Sequence, residues 1–248
     1  MADKAKLKIY RGDKEEGAMV DYEIDLVPGM VVLDAVHTVQ ADESPDLAVR
    51  WNCKAGKCGS CGADVNGKPK LMCMDRMDNY EPGGTISIRP MKTFPVIKDL
   101  ACDVLWNFEV NKQIPAFKMK DTEGEEPKFT QNEADRVQEF RKCIECFLCQ
   151  NVCHVLREHD EKETFAGPRF FVRTAGLEMH PLDDEDRIPL LKDDMGLGYC
   201  NITKCCTEVC PESITITDNA IIPLKERVVD EYYDPVKKLF RIIFPKKK

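Results

Sequence analysis

Residues 141–153 of this 248-residue chain read RKCIECFLCQNVC, which places Cys143, Cys146, Cys149 and Cys153 at gaps of three, three and four. Four thiols this close cannot all face inward from one regular helix, so the first three must lie on a loop around an inorganic core. The run has the C-x2-C-x2-C-x3-C pattern in which three cysteines hold one iron–sulfur cube and the fourth, carried on the following helix, reaches a second cluster. A partner run therefore has to exist elsewhere in the chain.

It lies at residues 199–211, YCNITKCCTEVCP, where Cys200, Cys206 and Cys210 keep the outer spacing of the first run. Thr203 stands where the second cysteine would fall. The crossover rule gives Cys143, Cys146, Cys149 and Cys210 to a four-iron (4Fe-4S) cluster and leaves Cys153, Cys200 and Cys206 for the other. Three thiolates imply a cube missing one iron, a 3Fe-4S cluster. Cys205 is a competing ligand, able in principle to supply a fourth thiolate or to replace its neighbour, but spacing favours Cys206, which sits four residues before Cys210. Structural zinc normally takes two C-x2-C pairs and gives no reason for a third cysteine at the next three-residue step.

A second signature precedes these runs. Cys53, Cys58, Cys61 and Cys73 follow the plant-type C-x4-C-x2-C spacing with a more distant fourth ligand, the arrangement that holds a 2Fe-2S cluster. Gly56, Gly59 and Gly62 in the loop permit positive φ and bring backbone N–H groups toward the sulfurs. Such donors raise the reduction potential, since reduction adds negative charge.

Thirteen cysteines in a chain that opens MADKAKLKIYR, with no apolar secretory core, point to metal or redox chemistry rather than disulfides. The net charge of −8 argues against general nucleic-acid binding. No apolar run reaches the ~18 residues of a membrane span.

The length implies two domains, which we divide at 1–105 and 106–248. In the first, alternation through Leu7 and Ile9 and again through Val20, Tyr22, Ile24 and Leu26 predicts a hairpin, and Val32, Ala35, Val36 and Val39 fall at helical spacing. Asn66-Gly67 predicts a second hairpin, and residues 85–89, TISIR, a closing strand. In the second domain, residues 118–128 read as a surface segment, 132–140 as a helix leading into the first cysteine run, and 165–177 as a helix with Pro168 in its first turn. Residues 183–186, DDED, read as a solvated loop or helix start. His154 has no partner in sequence and reads as a partly exposed helix residue; His37, His159 and His180 read as structural or surface. Cys102 fits no ligand pattern and reads as a buried thiol. The terminal FRIIFPKKK pairs apolar residues with a cationic end that reads as either solvated or touching anionic lipid.

With both cysteine sets placed, the chain resembles the iron–sulfur subunit of succinate dehydrogenase and fumarate reductase over roughly residues 5–230. The resemblance is carried by the order of the sets, by the half lacking a cysteine, and by RWNCKAGKCGSC at 50–61, FPVIKDL at 94–100 and FAGP at 165–168. It implies an α+β chain: an N-terminal β-grasp plant-type ferredoxin domain followed by a mainly α-helical bacterial-type ferredoxin domain. It also implies a subunit that does no bond chemistry itself but relays single electrons from an FAD-containing flavoprotein, through the two-, four- and three-iron clusters, to quinone at a membrane anchor. The implied location is peripheral, on the cytoplasmic face of a bacterial membrane. The same relay in a fumarate reductase is the alternative, and a soluble multi-cluster carrier is a second. Two positions depart from the family: His154 follows Cys153 where many members have proline, with no tryptophan shortly after, and Asn201 follows Cys200 where many have histidine. Quinone-binding residues are therefore not carried over.

Overall fold

The computed structural model describes residues 4–159 and 162–236; the terminal FRIIFPKKK lies outside them. The N-terminal half is a five-stranded sheet in the order β2-β1-β5-β3-β4, with β1 Lys4–Gly12, β2 Gly17–Asp25, β3 Gly62–Val65, β4 Lys68–Leu71 and β5 Thr85–Arg89. Alternation sets the buried face: Ala5, Leu7 and Ile9 are buried while Lys4, Lys6 and Lys8 are exposed. β1 pairs antiparallel with β2 and parallel with β5. A parallel pair needs a long crossover, and this one contains α1, Val32–Asp42, together with the plant-type cysteine loop. Val32, Leu33, Ala35, Val36 and Val39 of α1 are buried in the sheet's core.

A small hairpin, β6 Val96–Lys98 and β7 Ala101–Cys102, follows the sheet, and α2, Leu105–Lys112, begins directly after it. The turn of that hairpin holds Asp99, which is 1% exposed. Its carboxylate accepts from Arg11 Nε (3.0 Å), Gly12 N (2.9 Å) and Ala48 N (2.8 Å), so one buried anion ties the first hairpin to the segment after α1. Cys102 is buried, its Sγ donating to the Met91 carbonyl at 3.7 Å, and burial raises its thiol to about 11.

The C-terminal half is helical among the described residues: α3 Gln131–Gln138, α4 Leu148–Val152, α5 His154–Arg157, α6 Pro168–Glu178, α7 Ile188–Asp193, α8 Cys205–Glu208 and α9 Ile222–Tyr232. Thr130 and Glu133 cap α3 reciprocally, with Thr130 N donating to Glu133 Oε2 at 2.7 Å. Pro168 opens α6 as expected, behind Gly167 at φ 89. Phe165, Phe170, Phe171, Leu156 and Leu191 form the centre of the second core.

The acidic stretch at 183–186 is not uniformly solvated. Asp183 is buried and pairs with Arg187 at 3.0 Å, both side chains being at most 1% exposed. Arg187 also donates to the carbonyls of Pro115 and Ala116, at 3.0 and 2.7 Å, and so straps the chain after α2 onto the helical half. A charge this deep has to be paired and hydrogen-bonded; the charge partner is local, and the carbonyl acceptors come from a segment some 70 residues earlier.

The two halves meet on α4. Gln150 and Asn151 have no exposed surface. Gln150 Nε2 donates to Ala166 O (3.0 Å) and its Oε1 accepts from Arg169 N (3.1 Å). Asn151 faces the sheet: its Nδ2 donates to Asp64 Oδ1 (2.7 Å) and its Oδ1 accepts from Thr93 N (3.1 Å).

Removing one member of a buried charged pair strands the other and typically costs about 3–5 kcal/mol. Asp99→Ala is therefore expected to cost about that much in urea unfolding, while Asp46→Ala, at the exposed end of the same Arg11 cluster, shifts the midpoint far less. Equal effects would show that Asp99 is not the anchor of the hairpin.

Candidate functional site

Cys143 follows a 3-10 turn at Glu139–Lys142, Cys146 lies on the loop beyond it, and Cys149 falls in the first turn of α4 rather than on the loop. Glu145 and Phe147 hold left-handed backbone, at φ 56 and 61, which turns the chain twice between successive thiols. The four cysteines Cys143, Cys146, Cys149 and Cys210 line one pocket, walled by Ile144, Phe147 and Val172. Four thiols converging on one apolar pocket are a donor set that fits a polynuclear sulfide core.

The second run repeats this backbone. A 3-10 turn, Leu197–Tyr199, leads into Cys200, and left-handed residues recur at Ile202 (φ 60) and Lys204 (φ 64) before α8 starts. Offsets of two and four from the first cysteine are identical in both halves. Thr203 therefore stands at the position of Cys146, Cys206 at that of Cys149, and Cys205 at that of Leu148. Cys206 is buried, with its Sγ 3.4 Å from the Thr217 hydroxyl, whereas Thr203 is exposed and lies 3.3 Å from Cys205 Sγ. Cys153 closes α4 and opens α5, between the two halves.

Burial pushes the thiols of Cys143 and Cys149 above the ordinary range, Cys146 to about 12, and Cys153 and Cys206 to about 11. Such thiols become thiolates when cationic iron sits among them, so loading these sites releases protons.

In the plant-type loop, Cys53 is exposed, Cys58 half-buried, and Cys61 and Cys73 buried. Backbone donors do surround the sulfurs: Ala55 N and Lys57 N reach Cys53 Sγ at 3.3 and 3.4 Å. Desolvation pushes the Cys58 thiol up, but hydrogen bonds involving the backbone at Cys53 and Ser60 outweigh it and bring the thiol down to about 6. The neighbouring Cys61 is driven to about 12 by burial. Of the three loop glycines, Gly56 and Gly59 take positive φ, at 67 and 69, while Gly62 is ordinary strand at the start of β3.

Comparison with known proteins follows the same division. A family model described as a 2Fe-2S iron-sulfur cluster binding domain matches residues 6–109, and one described as a 4Fe-4S dicluster domain matches 139–214. The fumarate reductase iron-sulfur subunit of Wolinella succinogenes is 31% identical over 219 residues, covering 84% of this chain and 89% of that protein. The chain belongs to the iron–sulfur subunit family of succinate dehydrogenase and fumarate reductase. The succinate dehydrogenase iron-sulfur subunit of Bacillus subtilis is 29% identical, covering 79% and 81% of the two chains. A chain of the Mycobacterium smegmatis Sdh1 complex in the apo form superposes with a TM-score of 0.91 at 56% identity, covering 95% of this chain and all of that one.

As an electron-transfer subunit of this family, the chain has to bring its cluster sites close, and the loop of Cys58 and Cys61 touches the loop of Cys143 and Cys146. A Cβ on Gly59 would fall 2.7 Å from Cys146 Cα and 2.9 Å from Ile144 O. Lys57 pairs with Glu212 (3.3 Å), just past Cys210, at the edge of the same contact. The two departures from the family pattern also meet: Asn201 Nδ2 lies 2.7 Å from His154 Nε2. His154 therefore has a partner, 47 residues away in sequence.

A side chain at Gly59 meets both left-handed strain and backbone it cannot displace. Gly59→Ala is expected to separate the two loops, lowering thermal stability and slowing electron passage between the two-iron and four-iron sites by tenfold or more in rapid-freeze spectroscopy, an order-of-magnitude expectation for a displaced reacting group. Wild-type stability and transfer in this variant would show that the contact is incidental.

Proposed function

We infer that the chain relays electrons one at a time from a flavoprotein partner to quinone at a membrane-anchor partner, through three cluster sites. In this reading Cys53, Cys58, Cys61 and Cys73 hold a 2Fe-2S cluster, Cys143, Cys146, Cys149 and Cys210 a 4Fe-4S cluster, and Cys153, Cys200 and Cys206 a 3Fe-4S cluster. The division into a plant-type unit at 1–105 and a helical unit at 106–248 follows the same assignment. The observation that carries the reading is the continuity of the sites: Gly59 lies against the backbone of Cys146, and α4 carries Cys149 in its first turn and ends at Cys153.

The clusters supply the one-electron chemistry. The chain's own work is to hold, shield and tune. Phe147, Val172 and Ile214 keep water from the middle site, each 6% exposed or less, and the low dielectric there strengthens each dipole aimed at sulfur. The amides of Gln150 and Asn151 fix α4 from both sides, so Cys149 and Cys153 keep a constant separation. Among the described residues no helix is long and apolar enough to cross a membrane. A peripheral place on the cytoplasmic face, between flavoprotein and anchor, accords with the family. The same residues serve succinate oxidation or fumarate reduction, the direction being set by relative potentials and the partner chains.

The third site is tested at Thr203. A threonine hydroxyl is a hard oxygen and a poor substitute for thiolate on iron. The wild-type holoprotein is expected to show an oxidised three-iron resonance that diminishes in Thr203→Cys, as a fourth iron is taken up. Absence of that resonance in wild type, together with its appearance in Cys205→Ser, would show that Cys205 ligates a fourth iron and that the assignment of this run is wrong.

A further inference from the structure

Arg169 is the second residue of α6 and is 5% exposed, yet it lines the pocket of Cys143, Cys146, Cys149 and Cys210. A guanidinium carries five N–H donors and no acceptor. One Nη2 reaches Glu145 Oε1, in the loop between Cys143 and Cys146. The guanidinium also lies 5.8 Å from the Phe170 ring centroid. Its Nε–H is buried and has no hydrogen-bond partner among the described residues. The backbone N of Arg169 is held by Gln150 Oε1 at 3.1 Å, which fixes where the side chain leaves the helix.

The ion pair does not neutralise this charge. Glu145 is 48% exposed, so water screens its carboxylate, while Arg169 sits on the dry side. A buried cation with an unused donor is costly unless an anion shares the space. A sulfide core held by four thiolates is such an anion, and its charge becomes more negative on reduction.

We propose that Arg169 is the counter-charge and hydrogen-bond donor of the four-iron site, a positioning and tuning residue that favours the reduced state and so raises the potential of the middle step of the relay. The proposal rests on the cluster assignment above. Glu145 then acts as a partial brake, drawing off part of the field that Arg169 exerts.

The test is redox-poised electron paramagnetic resonance of the full holoprotein, purified with its partner subunits, as wild type, Arg169→Lys, Arg169→Met and Glu145→Gln. Arg169→Met is expected to lower the reduced-to-oxidised ratio of the four-iron signal at a fixed potential by about tenfold, which for a one-electron couple is about 59 mV. Arg169→Lys keeps the charge without the planar fork and should fall between. Glu145→Gln should move the ratio the other way, which a merely structural ion pair would not do. The two-iron signal of each variant is the internal control. An unchanged four-iron ratio in both Arg169→Met and Glu145→Gln overturns the proposal. If Arg169→Met fails to hold the cluster, Glu145→Gln decides: an upward shift supports the proposal and no shift overturns it. A wild-type holoprotein with no four-iron signal removes the cluster assignment itself, and this inference with it.

Discussion

Gln150 and Asn151 stand side by side on α4 without exposed surface, and their amides point in different directions, one into the helical half and one into the sheet. An amide buried without partners costs on the order of 1–3 kcal/mol, so both sets of hydrogen bonds have to form together. This requirement fixes the short helix that begins just before Cys149 and ends at Cys153. The pocket of Cys143, Cys146, Cys149 and Cys210, the step from it to Cys153 and the seating of the plant-type loop against Cys146 all follow from the placement of that helix. Asp64 shows the tension at the junction: burial pushes its carboxyl up, and the bond from Asn151 acts against it.

Two half-sites with one backbone pattern but different side chains underlie the proposal of two different clusters. Left-handed residues at matching offsets shape both loops. What differs is the group presented at the second position, thiol at Cys146 and hydroxyl at Thr203. Cys205, adjacent to Cys206 in sequence, occupies the position that Leu148 fills in the first half. Proximity in sequence made it a rival ligand; the repeated backbone favours Cys206.

Much of this was legible from residue order, because local rules govern it. The hairpin of β1 and β2, the amphipathic α1, the Asn66-Gly67 turn and Pro168 at the head of α6 are each set by their own few residues. Cysteine spacing is legible for the same reason, since a cluster imposes its dimensions on the chain next to it. Buried polar residues were not. Asn151 and Asp64 are 87 positions apart, and Asp99 is paired with Arg11 across 88. Asp183, within an acidic stretch that reads as solvated, is buried because Arg187 and the chain at Pro115 close over it. In each case the partner, and not the residue type, decides the burial.

Eleven cysteines are proposed to hold three separate iron centres, the second and third of them joined by α4. Iron-edge anomalous diffraction from crystals of anaerobically purified holoprotein tests it most directly. Three resolved centres are expected. The first is bounded by Cys53, Cys58, Cys61 and Cys73, the middle one by Cys143, Cys146, Cys149 and Cys210, and the last by Cys153, Cys200 and Cys206, with no iron at Thr203. Two centres, or iron bonded to Cys205 in place of Cys206, would contradict it.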